Sequence, residues 1–168
     1  MYKIQNNYGP AQLFLKEALK IFRQLAKVKS QTYLPIVAST LKNLAILLKA
    51  QNEYSQAQTS YEEALHIYRQ LADINPQTYL TDVASICTNL ATFYLHAINN
   101  KKKSLEYCRE AIVVALPYIE SGHHVVNALQ VSASWGNEAI NDLINSLPVE
   151  MQLPTYIIYR LGNFNVAE

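Results

Sequence analysis

The chain has 168 residues, half of them hydrophobic, and a formal net charge of +1. That is enough for a substantial core, and the near-neutral balance gives no global attraction to nucleic acid or to an anionic membrane. With only 4 glycines and 6 prolines, helices are favoured over short strands joined by turns. No basic segment followed by an apolar core opens the sequence, and no run approaches the roughly 18 apolar residues of a membrane span. The cytoplasm is therefore the expected location. The 2 cysteines suit neither a disulfide framework nor a zinc spacing.

The opening stretch, MYKIQNNYGPAQ, has an echo later in the chain. Lys3, Gln5, Asn6, Tyr8 and Ala11 recur as Lys49, Gln51, Asn52, Tyr54 and Ala57, each 46 residues on. A helix is expected from about Pro10 to Ala26, carrying Ala11, Leu15, Ala18, Leu19, Phe22 and Leu25 on its apolar side. In phase with the repeat, residues 1–31 form a truncated unit: the end of a first helix, a turn, and a second helix. One flank of that second helix should then lack its usual cover. Phe14 and Leu15 are the residues singled out for self-association there.

Two longer segments match at the same offset. ALKIFRQLAKVKSQTYLPIVASTLKNLA starts at Ala18 and ALHIYRQLADINPQTYLTDVASICTNLA at Ala64, with about 17 of 28 positions identical. Duplication is the natural reading. Within the unit 32–77, Val37, Leu41, Leu44, Ala45 and Leu48 form one helical stripe. Tyr54, Ala57, Tyr61, Ala64, Leu65, Tyr68 and Leu71 form another. The short AQNE between them predicts a tight turn and an antiparallel hairpin. Thr32 and Thr78 are the expected N-caps, which would put Pro35 in a first helical turn. The alternation of Ala57, Tyr61 and Ala64 lets backbones approach while a ring fills the space beside them.

These residues resemble the tetratricopeptide repeat. The matching positions are Leu44, Ala45, Leu48, Tyr54, Ala57, Tyr61 and Ala64, then Leu90, Ala91, Tyr94 and Ala111. Ser104 stands for the first alanine of the next second helix and Cys108 for its tyrosine. HAINNKKK holds one extra residue, which shifts that helix by one. The long period and the NLA of Asn43–Ala45 and Asn89–Ala91 are similar to the kinesin-light-chain-like subclass. The resemblance covers residues 1–118, the last of them a divergent repeat at 78–118. It implies an all-α, right-handed superhelix of stacked antiparallel hairpins, a TPR-like α-solenoid.

Residues 119–168 leave this register and are expected to form capping helices. HHVVNALQVSAS and NEAINDLINSL read as two helices broken at Gly136, with Ser134 or Asn137 as the cap of the second. PTYIIYRLG, at 154–162, suggests a last short helix. A partner-binding tail exposing Ile157, Ile158 and Tyr159 is the competing view.

No nucleophile–base pair can be assembled, so no enzyme, cofactor or metal is expected. Adjacent His123 and His124 diverge on a helix, while His66 and His96 stand alone. Cys87 and Cys108 fall on apolar stripes and read as buried, inert thiols. Glu62 and Glu63 should face water. Lys101–Lys103, and the row Lys16, Lys20, Arg23, Lys27, read as solvated faces.

The resemblance places a peptide-binding groove on the first helix of each hairpin, along the concave side. By position its residues are Ser39, Lys42, Asn43, Ile46 and Lys49, then Ser85, Thr88, Asn89, Thr92 and His96. An asparagine amide both donates and accepts, so Asn43 and Asn89 suit the backbone of an extended peptide. The function expected is a scaffold that binds a protein or peptide. The alternatives are a self-associating structural module, with a homodimer through the N-terminal helix, or a regulatory piece of a larger effector. Neither nucleic acid nor membrane is an expected partner.

Overall fold

A computed structural model describes residues 8–118, 122–152 and 154–155. The stub before Tyr8, and the short C-terminal helix expected at 154–162 beyond its first two residues, with its apolar tail, lie outside the described residues; Pro154 and Thr155 are helical. Among the described residues the helices run in order α1 (Gly9–Ala26), α2 (Ser30–Ala50), α3 (Tyr54–Ile74), α4 (Pro76–His96), α5 (Lys101–Ala115), α6 (Gly122–Ala133) and α7 (Asn137–Asn145), and residues 149–152 are helical as well. No strand occurs among the described residues. The helices form adjacent pairs of the TPR-like α-solenoid class. By contacts the chain divides into two compact units, Met1–Leu71 and Ala72–Glu168, and the boundary falls in the last turn of α3.

The hairpins close on asparagines. Asn52 takes a left-handed φ of 62° just past the end of α2. The Glu53 amide then donates to Leu48 O at 2.9 Å and the Asn52 amide to Lys49 O at 3.0 Å. This pair of bonds satisfies carbonyls that the helix end would leave orphaned. The α4–α5 turn repeats the device one residue later. Asn99 has φ 56°, and the Asn100 amide reaches back to Tyr94 O at 2.8 Å. The extra residue in HAINNKKK is absorbed there. Tyr54, Ala57, Tyr61 and Ala64 of α3 thus correspond to positions in α5 shifted by one.

The helix starts differ from those expected. Asn75, not Thr78, caps α4: its side chain accepts from the Thr78 amide at 3.2 Å. Pro76 follows at the first helical position, where its fixed φ suits the helix and its missing N–H is harmless. Asn100 caps α5 in the same way, accepting from the Lys103 amide at 3.1 Å. α2 begins at Ser30 after Lys29, with no side-chain cap. Thr32 is therefore inside the helix. Pro35 lies in the second turn rather than the first, where it removes one backbone bond. α7 is preceded by Gly136 at φ 100°, without a side-chain cap, so neither Ser134 nor Asn137 serves.

In the first unit α1 packs on α2. Leu19, Val37, Leu41, Leu44, Leu48, Ala57, Tyr61, Ala64 and Leu65 are buried. The Ala57–Tyr61–Ala64 alternation is fully enclosed, at 0%, 1% and 0% exposure. In the second unit α4 packs on α5, α6 lies against both, and α7 rests on α5 and α6. Those two C-terminal helices thus cover the α4–α5 hairpin.

A serine ties this second unit together. Ser104 is completely buried. Its hydroxyl donates to Ala91 O at 2.9 Å and accepts from the Trp135 indole at 2.9 Å. One small polar side chain therefore links α4, α5 and the turn after α6. Nearby, the Arg109 guanidinium donates to Ser146 O at 3.0 Å, fixing the end of α7 to α5.

Candidate peptide-binding face

The residues expected to line a groove in the first repeat lie along α2. Asn43 is exposed, Ile46 is 44% exposed, and Ser39, Lys42 and Lys49 are half-buried. The helix between them is anchored from behind by Val37, Leu41, Leu44, Ala45 and Leu48, all nearly inaccessible. The polar row is thus held on a rigid, packed element. α2 also meets the length and hydropathy of a membrane-crossing helix, but much of its apolar surface is buried in this fold.

The second repeat presents the equivalent row on α4. His96 is exposed, Ser85, Asn89 and Thr92 are half-buried, and Thr88 is buried. Two of the hydroxyls are turned inward. Thr88 donates to Ala84 O at 2.8 Å and Thr92 to Thr88 O at 2.9 Å. These back-bonds leave the oxygens free to accept but commit their protons to the helix. Among the described residues, neither the Asn43 nor the Asn89 amide has a hydrogen-bond partner. Both amides therefore keep a donor and an acceptor available.

The first unit has a further concavity of about 430 Å³. Leu41, Leu44 and Leu48 of α2 lie along it, with Lys16, Leu19 and Arg23 from α1 and Ser55, Thr59 and Glu63 from α3. Arg23 Nη2 reaches both Glu63 carboxylate oxygens, at 2.5 and 2.6 Å. Glu63 is therefore engaged rather than simply facing water, as is Arg23 within its row of cations. Both are partly exposed, so the pair fixes geometry more than it adds stability.

The residues weighed for chemistry are dispersed. Among the described residues, no group of His, Cys, Asp and Glu is arranged to hold a metal ion. The rings of His123 and His124 do lie together, with centroids 3.8 Å apart. Cys87 and Cys108 are both buried thiols outside any disulfide. Burial pushes the Cys108 thiol up to about 11, against a smaller opposite pull from a Ser132 hydrogen bond. Burial likewise pushes the Tyr61 phenol up to about 12. Such shifts hold both groups in their neutral forms.

A comparison with known families bears on the α2–α3 hairpin. Residues 37–76 match the tetratricopeptide repeat. The matched span runs from the first buried apolar residue of α2 to the start of α4, so it holds one helical hairpin and its connection onward. The repeat suggests a protein-interaction scaffold. No curated protein matches the sequence.

The network of Ser104 and Trp135 went unanticipated, although Ser104 was visible as a departure from alanine. The caps were also within reach. Both INP and INN place an asparagine just before a helix, and asparagine is a better cap than threonine.

Proposed function

We propose that the protein binds a protein or extended peptide through the α2 and α4 faces, acting as a scaffold without catalysis. The observation that carries this reading is the pair Asn43 and Asn89. The same residue stands at the same place in both repeats, on helices whose other side is packed, with its amide unengaged. Each asparagine can hold a peptide group through one donated and one accepted bond, whatever the peptide's side chains. Lys42 and Lys49 add a preference for acidic groups in the first repeat, and Ile46 offers an apolar contact. In this reading each row is the first-helix face of a kinesin-light-chain-like repeat.

The test is affinity capture from the native host with wild-type chain and with Asn43→Ala/Asn89→Ala. Partners retained by the wild type and lost by the variant, with helicity unchanged, support the groove. Equal capture by both refutes it.

A further inference from the structure

The charge of the chain is unevenly placed. Residues 1–71 carry 9 lysines and arginines against 4 acidic residues, a net +5, whereas residues 72–168 carry 5 against 9, a net −4. The near-neutral total thus conceals two units of opposite sign. Within the first unit the surplus gathers on α1. Lys16, Lys20, Arg23 and Lys27 are all exposed, at spacings of four, three and four. With about 100° between successive residues, they fall within about 60° of one another around the helix. The stripe lies across the helix from Phe14 and Ile21. The same positions of α3 are Glu62, His66, Arg69 and Asp73, and these are exposed too. Since α3 has α2 as its hairpin partner, this side of the repeat is open in a complete hairpin. In α3 the stripe is mixed in sign; in α1 it is wholly cationic.

The stripe borders two concavities. One, of about 430 Å³, has Ser55, Gln56 and Thr59 of α3 on its far wall. The other, of about 420 Å³, runs past Leu19, Lys20, Gln24 and Lys27. Among the described residues no aromatic ring lines either. A carboxylate already sits against the stripe, that of Glu63, both of whose oxygens Arg23 Nη2 reaches. Lys16, Lys20 and Lys27 make no ion pair among the described residues. We infer that the stripe docks an acidic helix of a partner protein alongside α1. The spacing selects a helix. Cations four, three and four residues apart climb the axis in steps of about 6, 4.5 and 6 Å. Carboxylates at that spacing on a second helix climb by the same steps and share one face. The order reads the same in both directions, so parallel and antiparallel docking both match. Side chains on one face of an extended strand instead recur at a uniform step of about 6.6 Å. Single-stranded nucleic acid stacks its bases on aromatic rings, and the stripe provides none. Each exposed pair is weak, so affinity is modest, steered by the charge of the unit and reduced by salt. The stripe is on α1, apart from the α2 and α4 faces, and does not rest on the peptide-binding reading.

The probe is a fluorescein-labelled, alanine-based helical peptide with glutamates at spacings of four, three and four, bound to the full chain and followed by anisotropy. A control peptide of the same composition spreads its glutamates around the helix. The first peptide should bind about tenfold more tightly than the control, the worth of two exposed pairs. Lys16→Glu/Lys20→Glu should weaken it by about tenfold or more, with circular dichroism and melting unchanged because both side chains are exposed. Glu63→Gln frees the Arg23 guanidinium and should strengthen binding severalfold. Lys42→Gln/Lys49→Gln and Asn43→Ala/Asn89→Ala should leave it unchanged, so this proposal and the peptide-binding reading fail separately. Absence of binding, equal affinity for the two peptides, or indifference to Lys16→Glu/Lys20→Glu overturns the proposal. So does a Glu63→Gln chain that binds no better, or binding lost in Lys42→Gln/Lys49→Gln. Tighter binding to phosphatidylserine–phosphatidylcholine vesicles or to a single-stranded oligonucleotide than to the peptide overturns it as well.

Discussion

Replacing Ser104 by alanine tests how the second unit is held together. In the repeat that this chain resembles, alanine is the ordinary residue at that place, so a purely steric view predicts a neutral or stabilising change. The structure predicts otherwise. The hydroxyl is fully buried and makes two bonds of 2.9 Å, to Ala91 O and from the Trp135 indole. Deleting it forfeits about 1 kcal/mol of net hydrogen bonding and leaves an indole N–H without its partner, costing about 1 kcal/mol more. Trp135 is half-buried, so water recovers part of the second term. Alanine's higher helix propensity offsets a few tenths of a kcal/mol. The expected net loss is about 1–2 kcal/mol, or about 2–8 °C in melting temperature. The chain has 1 Trp, and it lies in the second unit, so urea unfolding followed by fluorescence reports on that unit alone. Ser104→Ala should lower the midpoint and shift the native emission. A cycle with Trp135→Phe, followed by circular dichroism, should show coupling of about 1 kcal/mol. A midpoint unchanged for Ser104→Ala, with unaltered emission, would refute the network.

Three further tests follow from backbone and burial. Gly136 has φ 100° and open space where a Cβ would stand. Gly136→Ala should therefore destabilise through backbone strain alone, by about 1–2 kcal/mol, measured by the same fluorescence assay; a neutral result contradicts the left-handed turn before α7. The thiols of Cys87 and Cys108 should resist an aromatic disulfide reagent in the native chain and react fully in denaturant. Stability should also fall with alkaline pH. The Cys108 thiol is raised from 9.0 to about 11 and the Tyr61 phenol from 10.0 to about 12. The unfolded chain thus loses these protons first. Their contribution is complete below about pH 9 and is lost as pH rises through the folded values. A denaturation midpoint constant from pH 8 to 11 would contradict the burial of both groups.

The helical hairpins were legible because duplication and apolar spacing are carried by residues such as Leu44, Ala45, Tyr61 and Ala64, which pack where their spacing implies. The helix starts were less so. Threonine and asparagine both cap, and only the geometry shows that Asn75 and Asn100 do so while Thr32 has already entered α2. The Arg23–Glu63 pair joins residues 40 apart, and Ser104 with Trp135 joins residues 31 apart. No local pattern encodes such encounters, since they depend on how helices settle against one another. For the proposed binding face, sequence position alone did not sort the residues it named. The structure separates the open amides of Asn43 and Asn89 from Thr88, whose side chain is buried and bonded to its own helix. At α1 the exposures distinguish Phe14, which is 70% exposed, from Leu15, which is half-buried.

The measurement closest to the central claim uses peptides selected from a random display library on the wild-type chain. Their dissociation constants are compared on wild type and on Asn43→Ala/Asn89→Ala by titration calorimetry. Loss of two amide contacts to a peptide backbone should weaken binding by about 5- to 150-fold, corresponding to roughly 1–3 kcal/mol, with helicity and melting unchanged. Affinities that agree within twofold would show that the peptide is held elsewhere.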